Sequence, residues 1–353
     1  MGQHLNIEYE LSTRLLQKHL LQPCMQRISE DFACSYTYLS CHDFFRFLSS
    51  RFQLEKIGLT LVGLTLAVLP IACTNSPSIA ALESDTEKNA SSRFEQLPLA
   101  QNETGVSAAN ADVLGAIASS QVVYLAETHD SVADHIAQLA IIKALDETNE
   151  LAIGLEMFQR PFQSVIDSYL AGTITEAELV EQSEYETRWG FDWEFYAPII
   201  RYAKDNQIPV IALNTPTEAT RQVAREGLEG IDKDLLQYVP PIAEIDTTNE
   251  AYRTSVAQVF GAHGHGSRLS FDNFFAAQVL WDETMAESVV RQLDADPERQ
   301  LVVLAGEGHI AFDYGIPSRV QRRLPGTQQV SVRLSPGDQP ITPNFTDFVW
   351  ITP

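Results

Sequence analysis

Apolar residues occur along this chain in two rhythms. Residues 121–126, 151–156, 208–213 and 301–305 are short, nearly unbroken runs dominated by Val, Ile, Leu and Ala. Runs of that kind are the pattern of strands buried on both faces of a parallel sheet. Between them the apolar positions take helical spacing: near 109–119, from Asp130 or Ser131 as cap to about 147, over 160–206, and over most of 216–295. Breaks fall near Pro240-Pro241 and at Gly261–Gly266. Two later runs, 329–334 and 346–351, suit strands on the far edge of the sheet. Strand alternating with helix predicts an α/β fold, a mainly parallel sheet with flanking helices. The stretch between the second and third strands is longer than one crossover helix needs. It predicts a small helical subdomain over about 160–206, serving as a lid, a ligand-binding wall or an aromatic core.

The N-terminal third reads differently. Residues 57–72 form an uncharged apolar run that ends at Cys73, with Arg51 and Lys56 just before it. Helical, it would reach about 24 Å, short of the roughly 30 Å hydrocarbon core of a bilayer. Charged flank, apolar run and Ala72-Cys73 together fit an export signal with a lipidated cysteine, or an uncleaved anchor. Pro70 stands where such lipoprotein signals usually carry Leu. The expected organisation is an extension over 1–56, a signal or anchor over 57–73, a polar tether over 74–107 and an α/β domain over 108–353. The expected location is outside the cytoplasm, anchored to a membrane by the lipid or the N-terminal segment.

Charge sharpens the division. The net charge is −23, and residues 1–73 are balanced, so the body carries all of it. With no basic stripe, such a body repels phosphate backbones and excludes nucleic acid as a partner. All four cysteines (Cys24, Cys34, Cys41 and Cys73) precede the body. Any metal or haem there must use nitrogen, oxygen or Met sulfur.

The chemistry gathers at strand ends. The first and fourth strands run straight into Glu127-Thr128-His129 and Glu307-Gly308-His309, the third candidate carboxylate is Glu156, and Asn214 ends the strand at 208–213. Ligands in open α/β sheets bind beyond the carboxyl ends of the strands, so these residues are expected to converge on one crevice. Glu127, His129, Glu156 and His309 suit a divalent metal such as zinc or manganese. They equally suit acid–base catalysis with a carboxylate orienting each imidazole. His135 lies in the next helix near that crevice, and His263 and His265 sit in a Gly-rich loop that could contribute a mobile ligand. Phe274, Gln278, Trp281, Asp282 and Met285 share one helical face, and buried Gln and Asp there need partners. No Gly-x-Ser-x-Gly elbow, Walker A loop, dinucleotide fingerprint or His-Glu-x-x-His occurs.

Taken in order, Glu127-Thr-His129-Asp130 with His135, Gly154 to Arg160 with Gln163, the Trp193–Tyr196–Pro198 stretch, Asn214, Ala277 to Ala286, and Gly306-Glu-Gly-His309 with Gly315-Ile-Pro317 resemble the ChaN-like haem-binding family. That family sits in a wider group with the Tiki proteases and erythromycin-esterase-like enzymes. Ala126-Glu127 stands where Gly-Glu is usual in the first motif. The resemblance implies a parallel sheet with a helical subdomain, and a lipoprotein that binds haem for uptake or scavenging. It also implies a homodimer with stacked haems as one arrangement, and a tyrosine iron ligand from the helical part. Tyr196 is the first choice, with Tyr185 and Tyr202 behind it. Haem propionates would then look to Arg160, Arg188, Arg201 and Lys204. The alternative function is a metal-dependent hydrolase using Glu127, His129, Glu156 and His309 around an activated water.

Overall fold

The computed structural model describes residues 108–262, 270–337, 339 and 342–352. The extension, the apolar 57–73 segment, the tether, His263 and His265 all lie outside the described residues. Six strands form one sheet: β1 (Val122–Glu127), β2 (Leu151–Gln159), β3 (Val210–Asn214), β4 (Gln300–Gly306), β5 (Gln329–Pro336) and β6 (Phe348–Thr352). Their spatial order is β3-β2-β4-β1-β5-β6, and every pairing is parallel. Every residue of β1, β2 and β4 is buried, which is why these strands read as continuous apolar runs. β5 and β6 occupy the far edge, as their sequence suggests.

The helices are α1 (Ala108–Ile117), α2 (Val132–Asp146), α3 (Gln163–Leu170), α4 (Glu176–Gln182), α5 (Tyr185–Arg188), α6 (Trp193–Asp205), α7 (Thr217–Glu226), α8 (Glu250–Ala262), α9 (Phe271–Ala295) and α10 (Ile316–Arg323). One face of the sheet packs Val123, Leu125, Ile153, Val302 and Leu304 against Ile141 and Leu145 of α2, Ile166 of α3 and Ile199 and Ile200 of α6. The other packs Val122, Tyr124, Leu301 and Val303 against Met285 and Val289 of α9 and Ile316 and Val320 of α10. A third cluster, beyond the strand ends, joins α7, α8 and the first half of α9.

The helix after β1 and the helix after β4 therefore leave on opposite faces, although β1 and β4 are neighbours. Such a divergence is a switch point, the place where open α/β sheets bind their ligands. The predicted aromatic stretch is built of α3 to α6. Tyr185, Trp189 and Tyr196 belong to the same core cluster as the sheet face, so the stretch is continuous with the core.

Two local features depart from the sequence reading. β2 does not stop at Glu156 but continues to Gln159, with its register against β3 broken between Leu155 and Gln159. Across that irregularity the sequence neighbours Met157 and Phe158 both enter one core cluster, which a regular strand forbids. At the edge, the Asn110 side chain of α1 donates to the Ile351 carbonyl at 2.9 Å and accepts from the Ile351 amide at 3.0 Å. No helix among the described residues is long and apolar enough to cross a membrane.

Candidate functional site

β4 lies between β1 and β2, with Gly306 directly opposite Glu127. The Gly306 amide donates to Glu156 Oε2 at 2.7 Å, which ties the carboxylate of β2 to the end of β4. An added Cβ at Gly306 would stand 2.9 Å from His129 Nε2. The glycine thus makes room for an imidazole of the protein itself. At Gly315 a Cβ would meet the His309 carbonyl oxygen at 2.0 Å, so only glycine fits beneath the second motif.

Glu127 is the hub of the first half. Its Oε1 lies 2.7 Å from His129 Nδ1 and accepts the Tyr196 hydroxyl at 2.6 Å. Its Oε2 accepts from the Gln138 amide and lies 3.8 Å from His135 Nδ1. Burial alone would raise this carboxyl, but the His135 charge and the His129 and Tyr196 hydrogen bonds reverse that and hold it at about 2. Tyr196 is pushed well above its ordinary value, by burial first and then by Glu127. His135 spends both ring nitrogens inside the fold, on Gln138 Oε1 at 3.0 Å and the His129 carbonyl at 2.9 Å. The His129 ring meets Trp189 edge-on at 4.7 Å and Phe191 at 5.0 Å.

His309 is the hub of the second half. Its Nδ1 stands 2.6 Å from Asp282 Oδ1 and its Nε2 stands 3.3 Å from Glu156 Oε1. Asp282 Oδ2 accepts the Tyr252 hydroxyl at 2.7 Å, and the Gln278 amide reaches both that hydroxyl and His309 Nδ1 at 3.2 Å. Burial works against a charge on His309, yet Glu156 and Asp282 raise it to about 10. Glu156 is lowered in turn, with burial opposing and His309 the main favourable cause. His309 is thus held between Glu156 and Asp282.

The two motifs, alike in sequence, are used differently. Glu127 holds its own motif's His129, whereas Glu307 turns away to Arg333 at 3.1 Å. Asp282 and Glu156 take its place at His309. The buried Gln278 and Asp282 have their partners at this site. Gln138 and Tyr252 complete the two halves and were not singled out from the sequence. Gln138 sits eleven residues beyond Glu127 with no local pattern to mark it, and Tyr252 looks like any apolar position of α8. Among the described residues no three His, Asp or Glu groups are arranged to hold a metal ion.

The residues expected near haem are spread out. Tyr196 is committed to Glu127. The Tyr185 hydroxyl is buried and has no hydrogen-bond partner among the described residues. The Tyr202 hydroxyl lies on Asp146 at 2.8 Å on the outer side of α6. Arg160 is spent on Glu287 and Ser288 and on the carbonyls of Tyr238 and Thr284. Arg188 is spent on Glu184, Glu218 and Gln159, and Arg201 on Glu176 and Glu194. Lys204 stands over the Tyr169 ring.

The family model described as haem-binding uptake, Tiki superfamily, ChaN matches residues 113–320. This chain belongs to that family. The match takes in both hubs and the aromatic helices. The solved structure reporting cofacial haem binding to ChaN of Campylobacter jejuni is 20% identical and has a TM-score of 0.56, covering 69% of this chain and 91% of that one. It shares the fold. The erythromycin esterase EreC is more distant, at 15% identity and a TM-score of 0.40, covering 68% of this chain and 78% of its own. Among curated proteins, RETICULATA-RELATED 5, chloroplastic, of Arabidopsis thaliana is 25% identical over 261 residues. That alignment covers 66% of this chain and 34% of the relative, so the chain spans about a third of that relative's length.

Proposed function

We propose that this member of the ChaN family is a membrane-tethered haem-binding protein that serves haem or iron uptake or scavenging. The observation that carries the reading is the extent of the haem-binding family match, 113–320, which includes the strand-end site and the aromatic cover together. Tethering rests on the apolar 57–72 run ending at Cys73 and on the polar stretch after it.

The residues suit one end of a haem better than the other. Tyr185 offers a phenol oxygen with no hydrogen-bond partner among the described residues, in an aromatic bed with Trp193 at 5.0 Å and Phe158 at 6.1 Å. Haem iron accepts tyrosine as an axial ligand, which makes Tyr185 a better candidate than Tyr196 or Tyr202. Reaching it requires the short α5, entered through Glu184 in the left-handed region at φ 53°, to part from α6. The propionate end finds Arg160, Arg188 and Arg201 already paired, so propionates facing water cost least. When bound, the haem would bring iron, and the protein's part is to supply the phenol and an apolar, stacking surface.

The test is a haemin titration of the full chain in detergent micelles, followed at the Soret band. A saturable shift that weakens at least tenfold in Tyr185→Phe supports this reading. The absence of a saturable shift overturns it, and a shift abolished by His309→Ala alone moves the haem to the strand ends. Tethering is checked by membrane fractionation, in which Cys73→Ala should reduce membrane retention if a lipid is the anchor.

A second reading, hydrolysis at the strand ends, is favoured by one observation: His129 and His309 each present Nδ1 to a carboxylate at 2.7 and 2.6 Å. That arrangement fixes an imidazole for proton transfer. Turnover of chromogenic esters, with or without added zinc or manganese, that is lost in both His129→Ala and His309→Ala supports it. No turnover under either condition overturns it.

A further inference from the structure

Away from the strand-end site, at the junction of α9 and α10, the charge balance of the chain reverses. Glu283 is fully buried and is approached by Arg319 at 3.3 Å, by Arg322 at 2.7 Å and by Arg323. One helical turn on, Glu287 carries Arg160 at 2.7 Å and Arg291 at 3.2 Å. Asp246 is the other carboxylate in the group, 3.5 Å from Arg322. Five guanidinium groups thus share three carboxylates, within a chain whose net charge is −23.

Among the described residues the network leaves Arg319 Nε and two nitrogens of Arg323 buried without a hydrogen bond, and Arg323 is the less satisfied of the two. Its side chain is 10% exposed, and one of its Nη atoms bonds Glu283. Among the described residues, its Nε and its other Nη are buried and have no hydrogen-bond partner. Those two nitrogens form one edge of the planar fork that takes two oxygens of an oxyanion. A buried guanidinium edge with nothing to bond is costly. The excess charge extends to Arg160, which burial foremost, and then the charges of Arg291 and Arg323, bring down to about 10 against the pull of Glu287. Arg322 and Arg291, 39% and 60% exposed, supply the solvent side of the cluster.

We propose that this junction is a binding site for a phosphate dianion, free or as the terminal group of a phosphate ester, seated on the buried, unbonded edge of Arg323 with Arg322 and Arg291 at the rim. The class follows from the count: two positive charges in excess match a dianion. A bidentate edge matches a tetrahedral oxyanion that presents two oxygens at once. The site is independent of haem binding, since none of its groups belongs to the aromatic cover or the strand-end hubs.

The experiment is calorimetric and thermal titration of the full chain in detergent with inorganic phosphate, and separately with glycerol 3-phosphate, against chloride at matched ionic strength. The expected result is saturable binding of one equivalent with a rise in Tm absent from the chloride control. Affinity should fall at least tenfold in Arg323→Gln and about threefold in Arg291→Gln. Tighter binding of glycerol 3-phosphate identifies an ester as the ligand, and tighter binding of inorganic phosphate identifies the free ion. No saturable binding beyond chloride overturns the proposal, as does an affinity unchanged in both variants. If Arg323→Gln does not fold, the exposed Arg291→Gln decides alone, and unchanged affinity there is the overturning result.

Discussion

Gly306 and His129 touch because Gly306 has no side chain: a β-carbon there would stand 2.9 Å from the ring nitrogen Nε2. Gly306 also donates its amide to Glu156 and lies opposite Glu127, so one residue spaces both halves of the site. Gly306→Ala should therefore push the His129 ring off its seat between Glu127, Trp189 and Phe191. Overpacking of this kind costs about 1–3 kcal/mol. Urea denaturation should show that loss, and the His129 imidazole resonances should move while those of His309 shift less. Equal stability and unmoved His129 signals would contradict the packing described.

Asp282 and Glu156 together keep His309 charged to about pH 10. The folded value lies above the ordinary 6.5, so this stabilisation is complete below about pH 6.5 and disappears as pH rises through 10. Asp282→Asn should bring the His309 midpoint down by at least one unit, read by NMR titration of the imidazole. It should also flatten the loss of stability between pH 7 and 10. A midpoint unchanged in the variant would mean that Glu156 alone holds the charge.

Two acids seven residues apart pull the pH dependence in opposite directions. Glu127, held at about 2, contributes stability that is present above its ordinary 4.5 and lost as pH falls through 2. Asp134 is raised to about 7, by burial first, against its bonds from Thr128 and Ser131, with Glu127 and Glu307 adding repulsion. Its contribution is greatest below about pH 4 and declines as pH rises to 7, by on the order of a few kcal/mol. Asp134→Asn keeps an acceptor for the Thr128 amide and should remove that decline, so thermal melts from pH 4 to 8 should be flatter than in the unaltered protein.

Arg160→Met should cost about 3 kcal/mol, since it strips donors from the carbonyls of Tyr238 and Thr284 and a partner from Glu287. Haemin affinity of the folded variant should stay within about twofold, because Arg160 lies in a clasp between β2 and α9. A tenfold loss of haemin affinity with normal stability would support the propionate role that the family resemblance implies for Arg160.

The sheet was legible because its central strands are buried on both faces, and burial on both faces leaves an unbroken apolar run that needs no partner to be seen. The convergence of Glu127, His129, Glu156 and His309 followed from the strand-end rule. The division of labour within the site did not. Glu127-Thr-His129 and Glu307-Gly-His309 look equivalent, yet Arg333 on β5 draws Glu307 away and Asp282 on α9 takes its place. That choice depends on contacts 26 and 27 residues apart. The β2 irregularity is hidden for a related reason, since Met157 and Phe158 fit the apolar run whether or not the strand is regular. The bond from the Tyr196 hydroxyl to Glu127 was hidden as well, because only the three-dimensional packing brings α6 to the end of β1.

Asn110 gives the edge of the sheet a consequence of its own. By bonding both polar groups of Ile351 with one amide side chain, it imitates a single rung of a neighbouring strand and then offers nothing further to extend. A strand from another molecule would have to displace α1 before it could pair there. Asn110→Ala would leave both groups of Ile351 without these bonds, and the change would be felt as a tendency of β6 to recruit other chains, before any loss at the distant strand ends.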